Sequence, residues 1–446
     1  MNPDIQALFF NDPWWIVLIK CVLVVILVLT WQIINVWFER RVLGKMQQRV
    51  GPIMNGPFGL GQTLGDGLKF LLKEDFAPGM VDRVLYTMAP IIAGVCAFTA
   101  WSTIPFGGTV NMFGVETRLQ VTDLPTGALV ILAMGSVAIY GFVLAGWSSN
   151  SPYSLLGSVR SSAQMVSYEI SMGLSFVAVF LYTGSMSTTA IVDAQGQALF
   201  GGNPLGLQNW YWFVLFPSFV IYVISMFGET NRTPFDLAKC ESELVSGHIT
   251  EYTGFRYAIF YLAEYINMTT VSAVCTTLFL GGYHAFWPFN MIPGIDSGYM
   301  GALWFVIKVQ MLIFVFVWAR ASLPRFRYDQ FMDLGWKWLI PISLVWIMAI
   351  ATLRALRNAQ LFNVWTVLAF GAVVVLGLVA WMFLGAKPEE KPLVDPDAPF
   401  EAFAGGYPVP PLPGQSLPEL ASVVHSQAEA SATDAADEPV TVAGEN

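Results

Sequence analysis

The feature that most constrains this chain is a series of nine apolar segments, each close to 20 residues long. A helix of that length spans the hydrocarbon core of a bilayer and satisfies its own backbone hydrogen bonds there. Trp and Tyr cluster at several segment ends, as they do at membrane interfaces. The sequence therefore predicts an all-α polytopic membrane protein with spans at 14–37, 84–104, 126–147, 164–184, 211–228, 258–282, 301–319, 337–354 and 363–384.

The composition supports a membrane protein and excludes an ordinary soluble domain. Hydrophobic residues make up 55% of the chain and charged residues only 12%, whereas about a quarter of the residues in soluble domains are charged. The net charge of −9 belongs to the end of the chain, because eleven acids and two bases lie from Gly385 onward. This tail, 385–446, has little to bury, so we predict that it is disordered, either as a solvated tail or as a segment that docks a partner.

The distribution of Lys and Arg orients the predicted spans. With the N-terminus outside, the cytoplasmic segments hold 17 of these residues, and the outer segments hold Arg118, Arg354 and Arg357. Basic residues favour the cytoplasmic side, so we predict an external N-terminus and a cytoplasmic C-terminus. No basic leader precedes the first apolar segment, which we therefore expect to be retained as a span.

One cytoplasmic segment has the pattern of a helix that lies on the membrane instead of crossing it. In GLGQTLGDGLKFLLKED, residues 59–75, leucines recur at helical spacing and charged residues fall between them. We therefore predict an amphipathic interfacial helix. Its glycines each cost about 1 kcal/mol relative to Ala, which suggests the close approach of a ligand or a second helix.

The residues that bind metals and haem are too few and too scattered to predict a redox cofactor. The four cysteines form no CxxC pair, and His248, His284 and His425 do not lie mid-span, where axial haem ligands would be needed. An iron–sulfur cluster needs several cysteines close together. If this protein takes part in redox chemistry, we expect its electrons to come from a partner.

Charged residues within or beside the spans are the first candidates for function. Glu169 lies inside the fourth span, Glu229 ends the fifth, Glu264 begins the sixth, and Lys308 lies near the middle of the seventh. A charge at the bilayer centre costs at least about 2.5 kcal/mol, so such residues normally face a protein interior or a water-filled path. Position alone is equally consistent with interfacial capping by Glu229 and Glu264. Together these residues suggest proton or ion translocation, or a polar cavity for an amphiphile.

A cytoplasmic loop between two spans collects further carboxylates. The segment FDLAKCESELVSGHITEY, residues 235–252, has Asp236, Glu241, Glu243 and Glu251. In isolation such a loop is typical of a solvated surface. Carboxylates this close also shift one another's pKa values, which would let them respond together to a change of charge nearby.

Seven segments in order resemble the H-subunit family of respiratory NADH:quinone oxidoreductase, complex I. They are ERRVLGKMQQRVGP at 39–52, GLGQTLGDGLKFLLKED at 59–75, SYE at 167–169, ETNRTPFDL and ESELVSG across 229–247, EYTG at 251–254, AEY at 263–265 and RASLPRFRYDQFMDLGWK at 320–337. The resemblance extends over roughly residues 10–355. It predicts a membrane core of eight spans at 1–355, followed by an additional ninth span within 356–384 and the acidic tail.

The resemblance implies that the chain is one subunit of a proton-translocating enzyme. This subunit would contain no redox cofactor of its own and would form much of the chamber where the substrate, quinone, is reduced. The matching motifs imply these quinone-chamber residues: Glu39, Arg40, Arg49, Asp66, Glu74, Asp75, Asp236, Glu241, Glu243 and Glu251. They imply a proton path through Glu169, Glu229 and Glu264, and the position of Lys308 makes it a candidate partner for one of these acids.

The same resemblance implies partners and a location. Electrons would arrive from the terminal iron–sulfur cluster of a soluble subunit, and soluble subunits would also supply quinone-binding loops. FMN and further clusters would lie in other subunits. Small membrane subunits, antiporter-like subunits, the lipid bilayer and quinone complete the expected partners, and no nucleic acid is expected. The implied location is the plasma (inner) membrane of a bacterial cell.

Two departures limit what the resemblance transfers. Lys239 stands where the family commonly has an acid two residues before ESELV, and the ninth span and tail lie outside the resemblance.

Three other hypotheses remain. A membrane subunit of an energy-converting hydrogenase is disfavoured by the intact ERR…QRVGP and amphipathic-helix motifs. A stand-alone proton-coupled transporter would show an internal repeat, which is not found. A passive membrane anchor would not need acids inside its spans.

Overall fold

The predicted all-α membrane fold is confirmed by a bundle of long apolar helices. The computed structural model describes residues 12–197, 208–236, 244–291, 294–295 and 298–358. Within this part of the chain, seven helices are long and apolar enough to cross a membrane, and Phe216–Glu229 is a shorter apolar helix. The predicted ninth span and the acidic tail lie outside the described residues.

The helices are numbered in chain order. They are α1 Trp14–Met46, α2 Gly61–Leu72, α3 Arg83–Thr99, α4 Gly127–Ser148, α5 Pro152–Thr183, α6 Thr188–Gln195, α7 Tyr211–Val214, α8 Phe216–Glu229, α9 Gly254–Phe279, α10 Tyr299–Ser322, α11 Tyr328–Asp333 and α12 Ile340–Asn358. Short 3₁₀ turns lie at Pro57–Gly59, Ala100–Thr103, Gly247–Ile249 and Phe289–Met291. A π-helical segment, Leu334–Leu339, joins α11 to α12.

The fifth predicted span, 211–228, is wrong as a single helix. The short helix α7 ends at Val214, Leu215 has φ −106° and ψ 42°, and α8 begins at Phe216. Pro217 lies in the first turn of α8. Proline is tolerated there, but in a helix interior it removes a hydrogen bond and clashes with the preceding turn. The chain therefore interrupts the helix just before this proline.

The fourth predicted span starts earlier than its apolar pattern indicated. Helix α5 begins at Pro152, and its first half buries Ser154, Gly157, Ser158 and Ser161 at helical spacing. Small residues let neighbouring helices approach closely inside a membrane bundle. The start was missed because small residues score as polar or neutral in a search for apolar segments.

A β-hairpin that the sequence did not predict lies between α3 and α4. Strand β1, Thr109–Met112, pairs antiparallel with β2, Val115–Arg118. The turn residues Phe113 and Gly114 both have positive φ, +53° and +86°, as a tight hairpin turn requires. Lys20 of α1 fixes the hairpin: its Nζ donates to Thr117 Oγ1 at 2.5 Å and forms an ion pair with Asp12 at 2.6 Å.

The end of the acidic loop packs directly on α5 at a position where only glycine fits. A Cβ built on Gly157 would lie 2.4 Å from Gly247 Cα and 2.8 Å from the Gly247 carbonyl carbon. Both of these are backbone atoms, so the contact cannot be relieved by a side-chain rotation. Gly157 therefore sets how closely the 3₁₀ turn Gly247–Ile249 approaches the bundle.

We predict that Gly157→Ala destabilises the folded protein, because overpacking of this kind costs about 1–3 kcal/mol. The matched control is Gly173→Ala, since Gly173 lies in the same helix and a Cβ there would meet nothing within 4 Å. The apparent melting temperature of the detergent-solubilised protein should fall for Gly157→Ala and stay level or rise for Gly173→Ala. Equal melting temperatures for the two variants would contradict the prediction.

Candidate functional site

Four elements of the bundle meet at Glu39, a buried carboxylate near the end of α1. Glu39 is 3% exposed. Arg232 Nη1 donates to Glu39 Oε1 at 3.1 Å, Tyr265 Oη donates to Glu39 Oε2 at 2.7 Å, and Arg320 also donates to Glu39 Oε1. Arg232 Nε lies 3.3 Å from Glu264 Oε1. We call these five residues the Glu39 network.

The charges of the Glu39 network balance, with two carboxylates against two guanidinium groups. The Arg232 guanidinium carbon also lies 4.2 Å from the centroid of the Tyr265 ring. Burial acts to lower the pKa of Arg232, but the negative charge of Glu39 and its neighbours outweighs burial and raises that pKa well above its ordinary value. Arg232 therefore stays charged, and the network keeps its charges only because each one has an opposite charge in contact.

An apolar cleft of about 440 Å³ lies beside this network, between α1, α2 and α9. Aliphatic and aromatic side chains supply most of its wall, which suits the tail of an amphiphile. The residues that line it are Leu29, Gln32, Ile33, Val36, Arg40, Thr63, Leu64, Asp66, Gly67, Leu68, Phe70, Leu71, Phe255, Ala258, Ile259, Tyr261, Leu262 and Tyr265.

A small polar group lies in the cleft wall and connects to the Glu39 network. Arg40 Nη1 donates to Asp66 Oδ2 at 2.5 Å, and this pair joins α1 to α2. Tyr261 Oη and Tyr265 Oη lie 3.0 Å apart. Because the one hydroxyl proton of Tyr265 is donated to Glu39, Tyr261 is the donor in that contact. A chain of hydroxyl groups thus leads from the cleft to Glu39.

A cluster of aromatic and charged side chains joins α3 to the segments on either side of the cleft. Arg256 Nη2 lies 3.3 Å from Asp75 Oδ2, and the Arg256 guanidinium carbon lies 5.1 Å from the Tyr86 ring. The Tyr86 and Tyr252 rings stack with their centroids 4.1 Å apart, and Tyr86 Oη donates to the Glu251 carbonyl at 2.7 Å. The end of the acidic loop is thereby fixed to α3.

The Thr253 hydroxyl and a close backbone approach at Gly254 hold the segment after α2 against the start of α9. Thr253 Oγ1 donates to the Phe76 carbonyl at 3.0 Å and accepts from the Phe76 N–H at 3.1 Å. Gly254 has φ +56°, and a Cβ there would lie 3.2 Å from the Glu74 carbonyl oxygen. The glycine of the EYTG motif is therefore explained by a positive φ and a close backbone approach.

The remaining residues of the predicted quinone chamber lie apart from the cleft or outside the described residues. Arg49 is exposed in the loop after α1. Asp236 Oδ2 lies 3.8 Å from Arg325 Nη2, beyond the end of α8. Glu241 and Glu243 fall in 237–243, which the structure does not describe. Their assignment to the chamber stays a prediction.

Two of the predicted proton-path acids line one small cavity inside the bundle. Glu169 of α5 accepts a hydrogen bond from Ser136 of α4, and Glu229 ends α8. The cavity, about 40 Å³, is lined by both carboxylates and by Asn267 and Thr270 of α9. It is large enough for water. Glu229 Oε2 is buried and has no hydrogen-bond partner among the residues that the structure describes.

The other two predicted proton-path residues lie elsewhere. Glu264 belongs to the Glu39 network through its contact with Arg232. Lys308 is 1% exposed and donates to the carbonyl oxygens of Leu280 and Gly282 at 2.5 and 3.0 Å. Leu280 lies 16 residues after Glu264, about 24 Å along a helix axis. These contacts place Lys308 near the far end of α9, and its pairing with one of the three acids stays a prediction.

Sequence reasoning overlooked three members of the Glu39 network. Arg232, Tyr265 and Arg320 each lie within a motif that was recognised, ETNR, AEY and RASLPRFR, but none was singled out. The available signal was the need for cations near the acids at the cytoplasmic ends of the spans. In the described part of the chain, no three His, Cys, Asp or Glu residues are grouped to hold a metal ion.

The fold and the site define a polytopic α-helical membrane protein with a buried ion-pair network beside an apolar cleft. A family model described as NADH dehydrogenase matches residues 19–351. The H subunit of NADH-quinone oxidoreductase from Cutibacterium acnes is 56% identical over 413 residues, 92% of this chain and 94% of that protein. The H subunit of the same enzyme from Streptomyces avermitilis is 49% identical over 432 residues, 94% of this chain and 93% of its own length. The chain therefore belongs to the NADH dehydrogenase family, and the resemblance to the H subunits is confirmed.

We predict that Glu39→Ala strongly destabilises the protein, because it leaves the buried Arg232 without its main opposite charge. Removing one partner of a buried ion pair costs about 3–5 kcal/mol. The control is Asp333→Asn, which removes the ion pair between Asp333 and Lys337. These side chains are 58% and 68% exposed, so their ion pair contributes about 1 kcal/mol or less to stability. Recovery of folded protein from membranes and its melting temperature should fall for Glu39→Ala only. Similar values for both variants would count against a structural role for the network.

Proposed function

We propose that this chain is a membrane subunit of a proton-translocating NADH:quinone oxidoreductase and that it forms much of the chamber where quinone is reduced. The observation that supports this most directly is the apolar cleft whose wall includes the Arg40–Asp66 pair. A quinone has an apolar tail and a headgroup with two carbonyl oxygens. The cleft offers an apolar wall to the tail and charged and hydroxyl groups to the headgroup.

Reduction of quinone to quinol takes up two electrons and two protons. The hydrogen-bonded side chains of Tyr261, Tyr265 and Glu39 offer a route by which a proton can be supplied to the cleft, or by which a change of protonation in the cleft can reach Glu39. The proposed chamber is completed at its cytoplasmic end by further charged residues. Two of them, Asp75 and Glu251, lie in the cluster next to α3, and the others are Glu74, Arg49, Asp236, Glu241 and Glu243. The electrons come from the terminal iron–sulfur cluster of a soluble partner subunit, and FMN lies in another partner.

The proton path is proposed to run through Glu264, Glu229 and Glu169 toward antiporter-like membrane subunits. Helix α9 separates the two sites. Its residues 255, 258, 259, 261, 262 and 265 line the cleft, and residues 267, 270, 271 and 274 line the cavity with Glu169 and Glu229. At 3.6 residues per turn the two sets are centred on opposite faces of the helix. A change of charge in the cleft therefore acts across the width of one helix.

The membrane in question is the bacterial plasma membrane, with the N-terminus outside and the C-terminus inside. The cleft favours this function over that of a hydrogenase subunit, which would need no cavity for an apolar tail. The acids that line the internal cavity distinguish it from a passive anchor.

Gly67 tests whether quinone uses the cleft. Gly67 lines the cleft, and a Cβ there would meet nothing within 4 Å. We predict that Gly67→Phe fills the cleft and lowers NADH:quinone activity at least about tenfold, the effect of a 1.4 kcal/mol loss. Gly67→Ala leaves the cleft open and favours the helix, so it should keep the activity.

The measurement uses membranes in which assembly of the complex has been checked. NADH oxidation by ferricyanide, which does not need the cleft, should be equal in the parent and in both variants. Full quinone activity in Gly67→Phe would exclude the cleft as the quinone path.

Glu229 tests the proposed proton path. We predict that Glu229→Gln, which keeps the shape but removes the titratable group, strongly lowers proton translocation into sealed vesicles driven by NADH and quinone. Asp333→Asn is the comparison: it removes only an exposed ion pair, so it should keep the translocation of the parent. Normal translocation in Glu229→Gln, with the complex intact, would remove Glu229 from the path.

A further inference from the structure

A large aromatic side chain lies at the tip of the hairpin formed by β1 and β2, where the backbone disfavours it. The two turn residues, Phe113 and Gly114, both have positive φ. Hairpin turns of this kind favour Asn, Asp or Gly, because positive φ is sterically unfavourable for a bulky residue. The Phe113 side chain is 81% exposed, so packing within the described part of the chain offsets little of this cost. Phe113 therefore indicates a contact outside the chain.

The hairpin is fixed to the bundle, so its tip has a defined position. Asn111 Oδ1 accepts from the Gly114 N–H at 2.9 Å and closes the turn. At the other end of the hairpin, Arg118 Nη2 lies 3.2 Å from Asp193 Oδ2 of α6. The Lys20 side chain of α1 holds β2 between these points. Phe113 is therefore presented on a rigid support.

The two faces of the hairpin differ in polarity. Val110 and Thr117 pair across the strands and are buried, whereas the next pair, Asn111 and Glu116, is exposed. One face of the hairpin thus packs on the bundle, and the other is a polar surface suited to water. Phe113 lies beyond both faces, at the end of the hairpin.

The tip lies at the level where two spans begin. Trp14 and Trp15 start α1, and the Trp15 ring meets the Phe113 ring edge-on with the centroids 6.3 Å apart. Tyr299 starts α10, and its hydroxyl donates to the Asn111 carbonyl at 3.4 Å. Trp and Tyr concentrate at membrane–water interfaces. Phe113 therefore shares the level of the aromatic residues at the ends of these spans.

The neighbouring face of α1 favours lipid over a partner helix as the contact. Trp14 is 78% exposed, and the exposed side chains of Leu18, Val22 and Ile26 follow it at intervals of four residues. Contacts between helices inside membranes favour small residues such as Gly, Ala and Ser, whereas these three side chains are large and aliphatic. This face suits acyl chains, and Phe113 lies beside its end.

We propose that the tip of the hairpin inserts into the lipid interface at the end of the bundle where α1 begins. The Phe113 ring leaves water and packs among lipid chains near the headgroups, and this burial offsets the unfavourable turn. The polar face with Asn111 and Glu116 stays in water. Because the hairpin is rigidly attached to α1, the inserted ring fixes the depth of this end of the bundle in the membrane.

This anchor is separate from the proposed quinone chamber. Glu39 lies 25 residues after Trp14 on α1, about 38 Å along the helix axis. A change at Phe113 should therefore leave the NADH:quinone activity of the assembled complex at the parent level.

The test replaces Phe113 by p-benzoylphenylalanine, a photoreactive analogue that keeps an aromatic ring, in the assembled complex in native membranes. Illumination joins the benzophenone group to a neighbouring C–H bond, and mass spectrometry of the subunit then identifies the attached molecule. The expected product is the subunit with the added mass of one phospholipid.

The matched control places the same analogue at Glu116, which is exposed on the polar face of the same hairpin. The lipid-modified fraction should be several-fold larger at position 113 than at position 116. The analogue at Leu18, on the exposed face of α1, shows the yield expected for a residue that contacts acyl chains.

The products distinguish a lipid contact from the alternatives. A cross-link from position 113 to another subunit would overturn the proposal, because a protein partner would then cover the tip. Equal lipid yields at positions 113 and 116 would also overturn it. So would the absence of a lipid product at position 113 when Leu18 gives one, because the tip would then lie in water.

Discussion

The rest of the structure depends on the ion pair between Glu39 and Arg232. These residues are 193 positions apart in the sequence and only 3.1 Å apart in space. A buried charge in this interior needs an opposite charge in contact with it. Their contact holds the end of α1 against the segment after α8, and Glu264 and Arg320 extend it to α9 and α10. Four separate parts of the chain are thereby fixed at one depth of the bundle.

The cleft follows from that constraint and from the small size of the residues on α2. Once α1 and α9 are fixed through Glu39 and Tyr265, a groove remains between them, and α2 covers it. Asp66 connects α2 to α1 through Arg40. The glycines of α2 weaken the helix, but Gly67 leaves open space in the cleft that a larger side chain would occupy. Gly67 is therefore explained by the volume that it keeps free, whereas Gly61 and Gly65 lie against Asn55, whose nearest atoms would be 3.1 and 3.3 Å from a Cβ at these two positions.

The sequence predicted the helices well because apolar length is a local property, and the failures have local causes too. The break at Leu215 depends on one proline, and the hairpin turn at Phe113 and Gly114 lacks a strong turn signal. The pairing of Glu39 with Arg320, 281 residues away, could not be deduced, because no local pattern records which cation reaches which acid. Glu169 and Glu229 were identified as intramembrane acids, but only the fold showed that they share a cavity.

Helix α9 connects the two sites through its position and its neighbours. Glu264 and Tyr265 are adjacent in sequence, and both contact Arg232. Arg232 in turn follows Glu229 by three residues, so the same short segment ends at the cavity on one side and at the Glu39 network on the other. Under the proposed function, a proton gained or lost at Tyr265 or Glu39 would change the charge that Arg232 faces. Because Arg232 stays protonated, a shift of its position would then carry this change to the field at Glu229.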